Sequence, residues 1–240
     1  MNHYNEFKKY ATKHKNISGS KLHYWEKQQN HYMDIQNNMT PYILEEREMR
    51  VTQLDIFSRL LMDRIIWVNG TVNDHMSTIV QAQLMFLDNV DNKDITLIVD
   101  TPGGSVKSGL SILSLVEYIS SEVSTINTGM AASMGSILLG CGAKGKRHSL
   151  KYSKVMLHQV SSGAEGTLAD MMISLREAEK YNELLFGLLG KFCNKDPKQI
   201  MKDAQRDFWM NAEESLKYGI IDKIITTKKD MNNKNSKGKK

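Results

Sequence analysis

Cysteine is almost missing from this chain: Cys141 and Cys193 are the 2 in 240 residues, too few for a disulfide framework or a spaced metal cluster. Both read as reduced, buried small hydrophobes. No apolar run approaches the roughly 18 to 20 residues that a membrane-spanning helix needs, and the opening MNHYNEFKKY has no apolar core of the secretory kind. The expectation is a cytoplasmic protein without a membrane segment. Neither the glycine fingerprint of a dinucleotide site nor the lysine pattern of a P-loop occurs, which argues against a nucleotide cofactor. No metal site is expected either.

A net charge of +5 would suggest nucleic acid as a partner if it lay on the core. It does not. Residues 228–240 hold six lysines against one aspartate, +5, and residues 1–38 hold six lysines against three acids, +3. The stretch between them is left at −3, and a slightly acidic core offers no groove to a phosphate backbone. The basic tail reads as a solvated, disordered terminus.

With 40% hydrophobic residues, the chain can bury one core of ordinary domain size. Residues 1–38 read as a polar extension or propeptide, 39–227 as the folded domain, and 228–240 as the tail. Apolar spacing predicts a helix over Asp55–Met62 and a strand over Ile65–Val68. A helix over His75–Leu87 and a strand over Ile95–Val99 follow, then a Gly-rich turn at Pro102–Gly104 and a helix over Val106–Ile119. Strands Val123–Thr128 and Val155–His158 come next, with a short helix between them. Helices at Thr167–Phe192, Asp196–Ala204 and Ala212–Tyr218 and a strand at Ile220–Ile225 complete the pattern. Strands and helices alternating in such short units imply an α/β fold with largely parallel strands.

The octapeptide Gly129-Met130-Ala131-Ala132-Ser133-Met134-Gly135-Ser136 places one serine between an apolar strand and an apolar helix. A nucleophile elbow has this form, with the side chain presented on a tight turn and backbone N–H groups of the new helix aimed at developing negative charge. A small-residue helix start with an N-capping serine accounts for the octapeptide equally well.

A nucleophilic serine needs a base, an orienting acid and an oxyanion site. Among the histidines, His3, His14, His23 and His31 lie in the polar extension, His75 sits at a helix start, and His148 falls in the charged hairpin Lys144–His148, where exposure is expected. His158 directly follows the apolar Val155-Met156-Leu157, so a rigid strand would hold its imidazole at a carboxyl end, where ligands gather in α/β sheets. For the acid, Asp203 and Asp207 stay undecided, with Asp100 and Asp170 as outsiders; an ion pair with Arg206 is the structural alternative for this aspartate pair. Gly103 and Gly104 would let an unshielded N–H approach a substrate carbonyl, though a plain turn uses the same residues.

Several stretches together resemble the Clp protease proteolytic-subunit family (ClpP): DIFSRLLMDRIIWVNG, TPGGSV, GMAASMGS, GAKGKR, VMLHQ, and QRDFWMNAEES leading into YGIID. The similarity runs from about Pro41 to Ile225. It implies a crotonase-like ββα superhelix with a protruding helical handle, here Thr167–Phe192. It further implies Ser133 as nucleophile, His158 as base, Asp207 as orienting acid, and the N–H groups of Gly104 and Met134 as the oxyanion hole. The implied activity is a serine endopeptidase that cuts unfolded polypeptides to short peptides inside two stacked heptameric rings, a homo-tetradecamer. An AAA+ unfoldase of the Clp family feeds that chamber and consumes the ATP, so the subunit itself needs no cofactor. Arg206 becomes a candidate ring contact.

Two features depart from the family pattern. Val160-Ser161-Ser162-Gly163 stands where a proline and a glycine pair are usual, and the N-terminal extension is long. A regulatory subunit of a mixed ring would suit the altered handle, but such a subunit has no need of all three triad residues. An acyl-CoA enzyme of crotonase type would work without a serine elbow.

Overall fold

The computed structural model describes residues 42–47, 50–161, 166–227 and 230. Chain contacts divide it into Met1–Ser58 and Arg59–Lys240. In the first unit, β1 (Tyr42–Arg47) pairs antiparallel with β2 (Arg50–Asp55), a hairpin that the periodicity did not predict. The expected boundary near residue 38, and most of the expected tail, lie outside the described residues. Helix α1 (Ile56–Met62) matches its prediction because Asp55 caps it, its carboxylate accepting from the N–H groups of Phe57 and Ser58 at 3.0 and 3.1 Å.

The second unit is built on a sheet of seven strands. Its main path runs β3 (Ile65–Asn69), β4 (Ile95–Thr101), β5 (Val123–Ala132), β6 (Arg147–Leu150), β9 (Lys223–Ile225), all parallel. Near-continuous apolar strands such as Ile95–Val99 require cover on both faces. Helices α2 (Asp74–Val90) and α3 (Val106–Tyr118) supply part of it through buried Val80, Leu84, Ile112 and Leu113. The expected α/β architecture is therefore present.

Strand β5 positions the site, and it is longer than periodicity suggested. Its first half pairs with β6 through Thr125–Asn127; its second half, Met130–Ala132, pairs in parallel with β7 (Lys154–Leu157), which pairs antiparallel with β8 (Phe208–Asn211). Between the halves the register against β4 slips, Val99 facing Asn127 but Thr101 facing Ala131. Asp100 fills the irregularity by accepting the Met130 N–H at 2.9 Å, and the extra residues let β5 fork between two neighbours.

Helix α5 (Leu168–Cys193) is capped by Thr167 and ends at a left-handed Asn194. No residue from 168 to 185 is buried, whereas Phe186, Leu189, Gly190 and Cys193 enter the core. Its N-terminal part forms the handle, with Leu168, Ile173 and Leu175 all exposed. Helices α6 (Pro197–Asp203) and α7 (Ala212–Tyr218) follow; a reciprocal Asn211–Glu214 cap starts α7 and Gly219 at φ 93° stops it.

The charged run 144–148 corrects one expectation. It is not an exposed hairpin: Arg147 and His148 are each 6% exposed, on β6. Asp222 grips Arg147 through Nε at 2.8 Å and Nη2 at 2.5 Å, while Lys146 pairs with Asp94 and Glu122. Burial opposes ionisation of Asp222, but the hydrogen bonds and charge of Arg147 outweigh it and hold the carboxyl below its ordinary range. Burial pushes the His148 imidazole below its ordinary value. The same cause raises the thiols of Cys141 and Cys193 to about 12 and about 11, and both cysteines are free.

Candidate active site

Three strand ends meet at one place. Ser133 is the first residue after β5, His158 the first after β7, and Asp207 the last before β8. The ladders bring them together: Ala132 pairs with Met156 and Leu157 with Phe208, so one further step of the antiparallel register sets His158 opposite Asp207.

Ser133 takes φ 53° and ψ −122°, a conformation that costs a non-glycine residue on the order of 1–3 kcal/mol. The surroundings hold it there. Its N–H donates to the Met156 carbonyl at 2.9 Å, and its own carbonyl accepts from the N–H and Oγ of Ser136 at 2.9 and 2.7 Å. The turn also needs room beneath it, which Gly103 provides: a Cβ there would lie 2.7 Å from Ser133 Cβ and from the Ala132 carbonyl oxygen.

Ser133 occupies the N-cap position of α4 (Met134–Gly140), yet its side chain makes no capping bond. Its Oγ instead lies 2.7 Å from His158 Nε2. Of the two readings the octapeptide allowed, the geometry is that of the elbow. The other face of the imidazole is held less closely, with Nδ1 3.8 Å from Asp207 Oδ1. That is an ion-pair distance, longer than a hydrogen bond, and the aspartate side chain is 64% exposed.

The competing aspartates are engaged elsewhere. Asp203 accepts from Tyr218 Oη at 2.9 Å and from Gln199 Nε2 at 2.7 Å, Asp170 caps α5 with Thr167, and Asp100 fills the β5 irregularity. Arg206 is exposed next to Asp207 and forms no ion pair with it among the described residues.

Gly104 pairs with Val72 in a parallel bridge, in which the Val72 N–H donates to the Gly103 carbonyl and the Ser105 N–H to the Val72 carbonyl, each at 2.8 Å. This pattern turns Gly104's own N–H away from Val72. The Met134 N–H belongs to the first turn of α4 and has no acceptor within the helix. Gly104, Ser133, Met134 and His158 line one cavity of about 270 Å³, and Val160 and Asn182 line it too. A serine hydroxyl in contact with an imidazole, beside two backbone amides in one cleft, is a set of groups that acyl transfer can use. Among the described residues no three His, Cys, Asp or Glu side chains are placed to hold a metal, and no helix is long and apolar enough to cross a membrane.

The family model for Clp protease matches residues 46–228, a span that contains every one of these groups. The chain belongs to the Clp protease family. It is 46% identical over 224 residues to a protein of Bacteroides thetaiotaomicron named ATP-dependent Clp protease proteolytic subunit, covering 93% of this chain and 99% of that one. A protein of the same name from Porphyromonas gingivalis is 44% identical, over 92% of this chain and 97% of its own length. A Bacteroides fragilis protein of that name is 47% identical over 79% of this chain and 92% of its own. The first alignment leaves no more than 16 residues of this chain unmatched, so the Bacteroides relative aligns with much of the N-terminal extension too.

Reading the residues alone picked out Ser133 and His158 but could not choose between Asp203 and Asp207, because the strand that brings Asp207 to His158 was not recognised. The signal was present in Phe208-Trp209-Met210, an apolar and aromatic run long enough for one edge strand. Asn182 gave no signal at all, being one polar residue on an amphipathic helix.

Proposed function

We infer that this chain is a serine endopeptidase acting as the proteolytic subunit of an ATP-dependent Clp protease, cleaving unfolded polypeptides delivered by a Clp-family ATPase. The observation that carries this reading is the 2.7 Å contact between Ser133 Oγ and His158 Nε2 on a strained turn inside a cleft. Family membership and the relatives' name, an ATP-dependent protease's proteolytic subunit, support a polypeptide substrate and an ATPase partner.

In the proposed mechanism His158 Nε2 takes the Ser133 hydroxyl proton as Oγ attacks the scissile carbonyl carbon. The carbonyl oxygen becomes an oxyanion held by the N–H groups of Gly104 and Met134. Collapse of this intermediate breaks the C–N bond, and the imidazolium returns its proton to the departing amine. Water then repeats the sequence on the acyl-enzyme and restores the serine. Asp207 acts by fixing Nδ1–H and offsetting the imidazolium charge, which requires its carboxylate to close the 3.8 Å gap by about 1 Å. Assembly into stacked heptameric rings, with the α5 handle and Arg206 at the junction, belongs to the same reading, as does a cytoplasmic location.

The test is labelling and turnover. A fluorophosphonate probe should modify Ser133, and Ser133→Ala should abolish labelling and lower peptide hydrolysis by roughly 10^4 to 10^6. Hydrolysis that survives this substitution sinks the assignment. Labelling without hydrolysis by this chain alone, restored by a second proteolytic subunit, would favour a regulatory role.

A further inference from the structure

Strand β7 ends at Leu157, so the residue proposed as the base is the first one outside the ladder. Among the described residues no backbone bond from the sheet reaches His158, and the Asp207 carboxylate stands off at 3.8 Å. Two residues further on, the Val160 N–H donates to Asn182 Oδ1 at 2.8 Å. Asn182 is half-buried on α5, one turn before Phe186 enters the core at 2% exposure. The amide therefore sits where the handle helix becomes anchored, and it faces the same cavity as Ser133 and His158.

We propose that Asn182 is a positioning residue for His158: through the Val160 N–H it ties the segment leaving β7 to helix α5, so that the placement of the base depends on the placement of the handle. The span from His158 to Val160 is two residues, too short to absorb a shift at one end without moving the other. The bond is side chain to backbone and part-buried, so losing it frees that segment and strands a donor next to the cleft. Asn182 touches no reacting atom in this arrangement. Its effect passes through backbone geometry, and it rests on the reading of His158 as base.

The experiment is a cycle of Asn182→Leu, Val160→Pro and the double variant, measured on the assembled full-length protein with a fluorogenic peptide. Leucine keeps the branched outline of asparagine, with bulkier methyl groups, and removes the acceptor. Proline removes the donor but fixes φ near −65° on its own, stiffening the same segment by another route. Asn182→Leu should lower kcat roughly 10- to 100-fold, the scale of a displacement near 1 Å, with KM and melting temperature little changed. Val160→Pro should keep most of the activity, and in that background Asn182→Leu should have no further effect. An equal loss from Asn182→Leu in the native and the Val160→Pro backgrounds would overturn the proposal in favour of a direct substrate contact, as would a rise in KM at constant kcat or an unchanged kcat. Ser133→Ala and His158→Ala run alongside: hydrolysis surviving in these removes the underlying reading, whereas their loss with an unaffected Asn182→Leu removes only the inference.

Discussion

Replacing Gly103 by alanine tests whether the turn beneath Ser133 is as tight as its geometry implies. The added Cβ would meet the Ala132 oxygen and Ser133 Cβ at 2.7 Å and the Met134 nitrogen at 2.9 Å. Ordinary contact begins near 3.5 Å, so the two turns must part by about 0.8 Å. Every atom met is backbone or the Cβ of the proposed nucleophile, and none is a flexible end that can swing aside. The substitution also places an L-residue at φ 91°, which costs about 1–2 kcal/mol, and overpacking adds about 1–3 kcal/mol. A total of about 2–5 kcal/mol corresponds, at about 2–4 °C per kcal/mol for a domain of this size, to a melting temperature lower by roughly 10 °C. A shift near 1 Å at the nucleophile should lower kcat by roughly 100-fold.

The matched control is Gly145→Ala. Gly145 has nearly the same φ, 86°, but a methyl group added there would find nothing within 4 Å, so it bears the backbone strain without the overlap. Calorimetry should show a loss of about 1–2 kcal/mol there, and fluorogenic peptide turnover should be unchanged. The reasoning fails if Gly103→Ala is no less stable than Gly145→Ala, or if it labels with a fluorophosphonate and turns over peptide at the native rate.

Asp207→Asn should lower kcat by on the order of 10^4 by removing the carboxylate proposed to orient His158, whereas Asp203→Asn, which disturbs the Tyr218 and Gln199 contacts, should leave kcat intact and cost about 1 kcal/mol in a urea titration. Asp222→Asn breaks a bidentate pair whose side chains are 7% and 18% exposed and should cost about 3 kcal/mol at pH 7. Because the folded Asp222 carboxyl ionises below its ordinary value, its contribution is present above about pH 4 and lost as the pH falls through the depressed folded value. Denaturation midpoints of the native and Asp222→Asn proteins should therefore draw together as the pH falls below about 4; a gap that does not narrow in acid contradicts the assignment.

What the sequence revealed and what it hid divide along a physical line. Helices α2, α3 and α5 were legible because each writes its own apolar stripe, and α7 because Asn211, Glu214 and Gly219 mark both its ends. Strands β6 and β8 were missed. Each has only four residues, and β6 carries charges whose burial depends on Asp222, 75 residues away. His148 looked solvated for that reason. The bond between Val160 and Asn182 was equally invisible, although Val160 had stood out as a departure from the family pattern: nothing in the spacing of two residues 22 apart says that a backbone N–H will find a side-chain oxygen.

The three strand ends are not held with equal firmness, and this orders their contributions to the site. Ser133 is fixed by the fold itself, with its amide bound to Met156, its carbonyl bound twice to Ser136, and Gly103 beneath it. His158 is fixed on one side by Ser133 and, two residues on, by Asn182. Asp207 lies on the turn between α6 and β8, where Gln205, Arg206 and Asp207 are all exposed, and it alone stands outside hydrogen-bond range. A carboxylate so open to water gains little from a distant imidazolium, so the role proposed for it depends on closing a gap of about 1 Å and excluding solvent as it does so. The residues proposed as nucleophile and base thus stand on the ends of two buried strands, β5 and β7, while the proposed acid waits on whatever packs over residues 205 to 207.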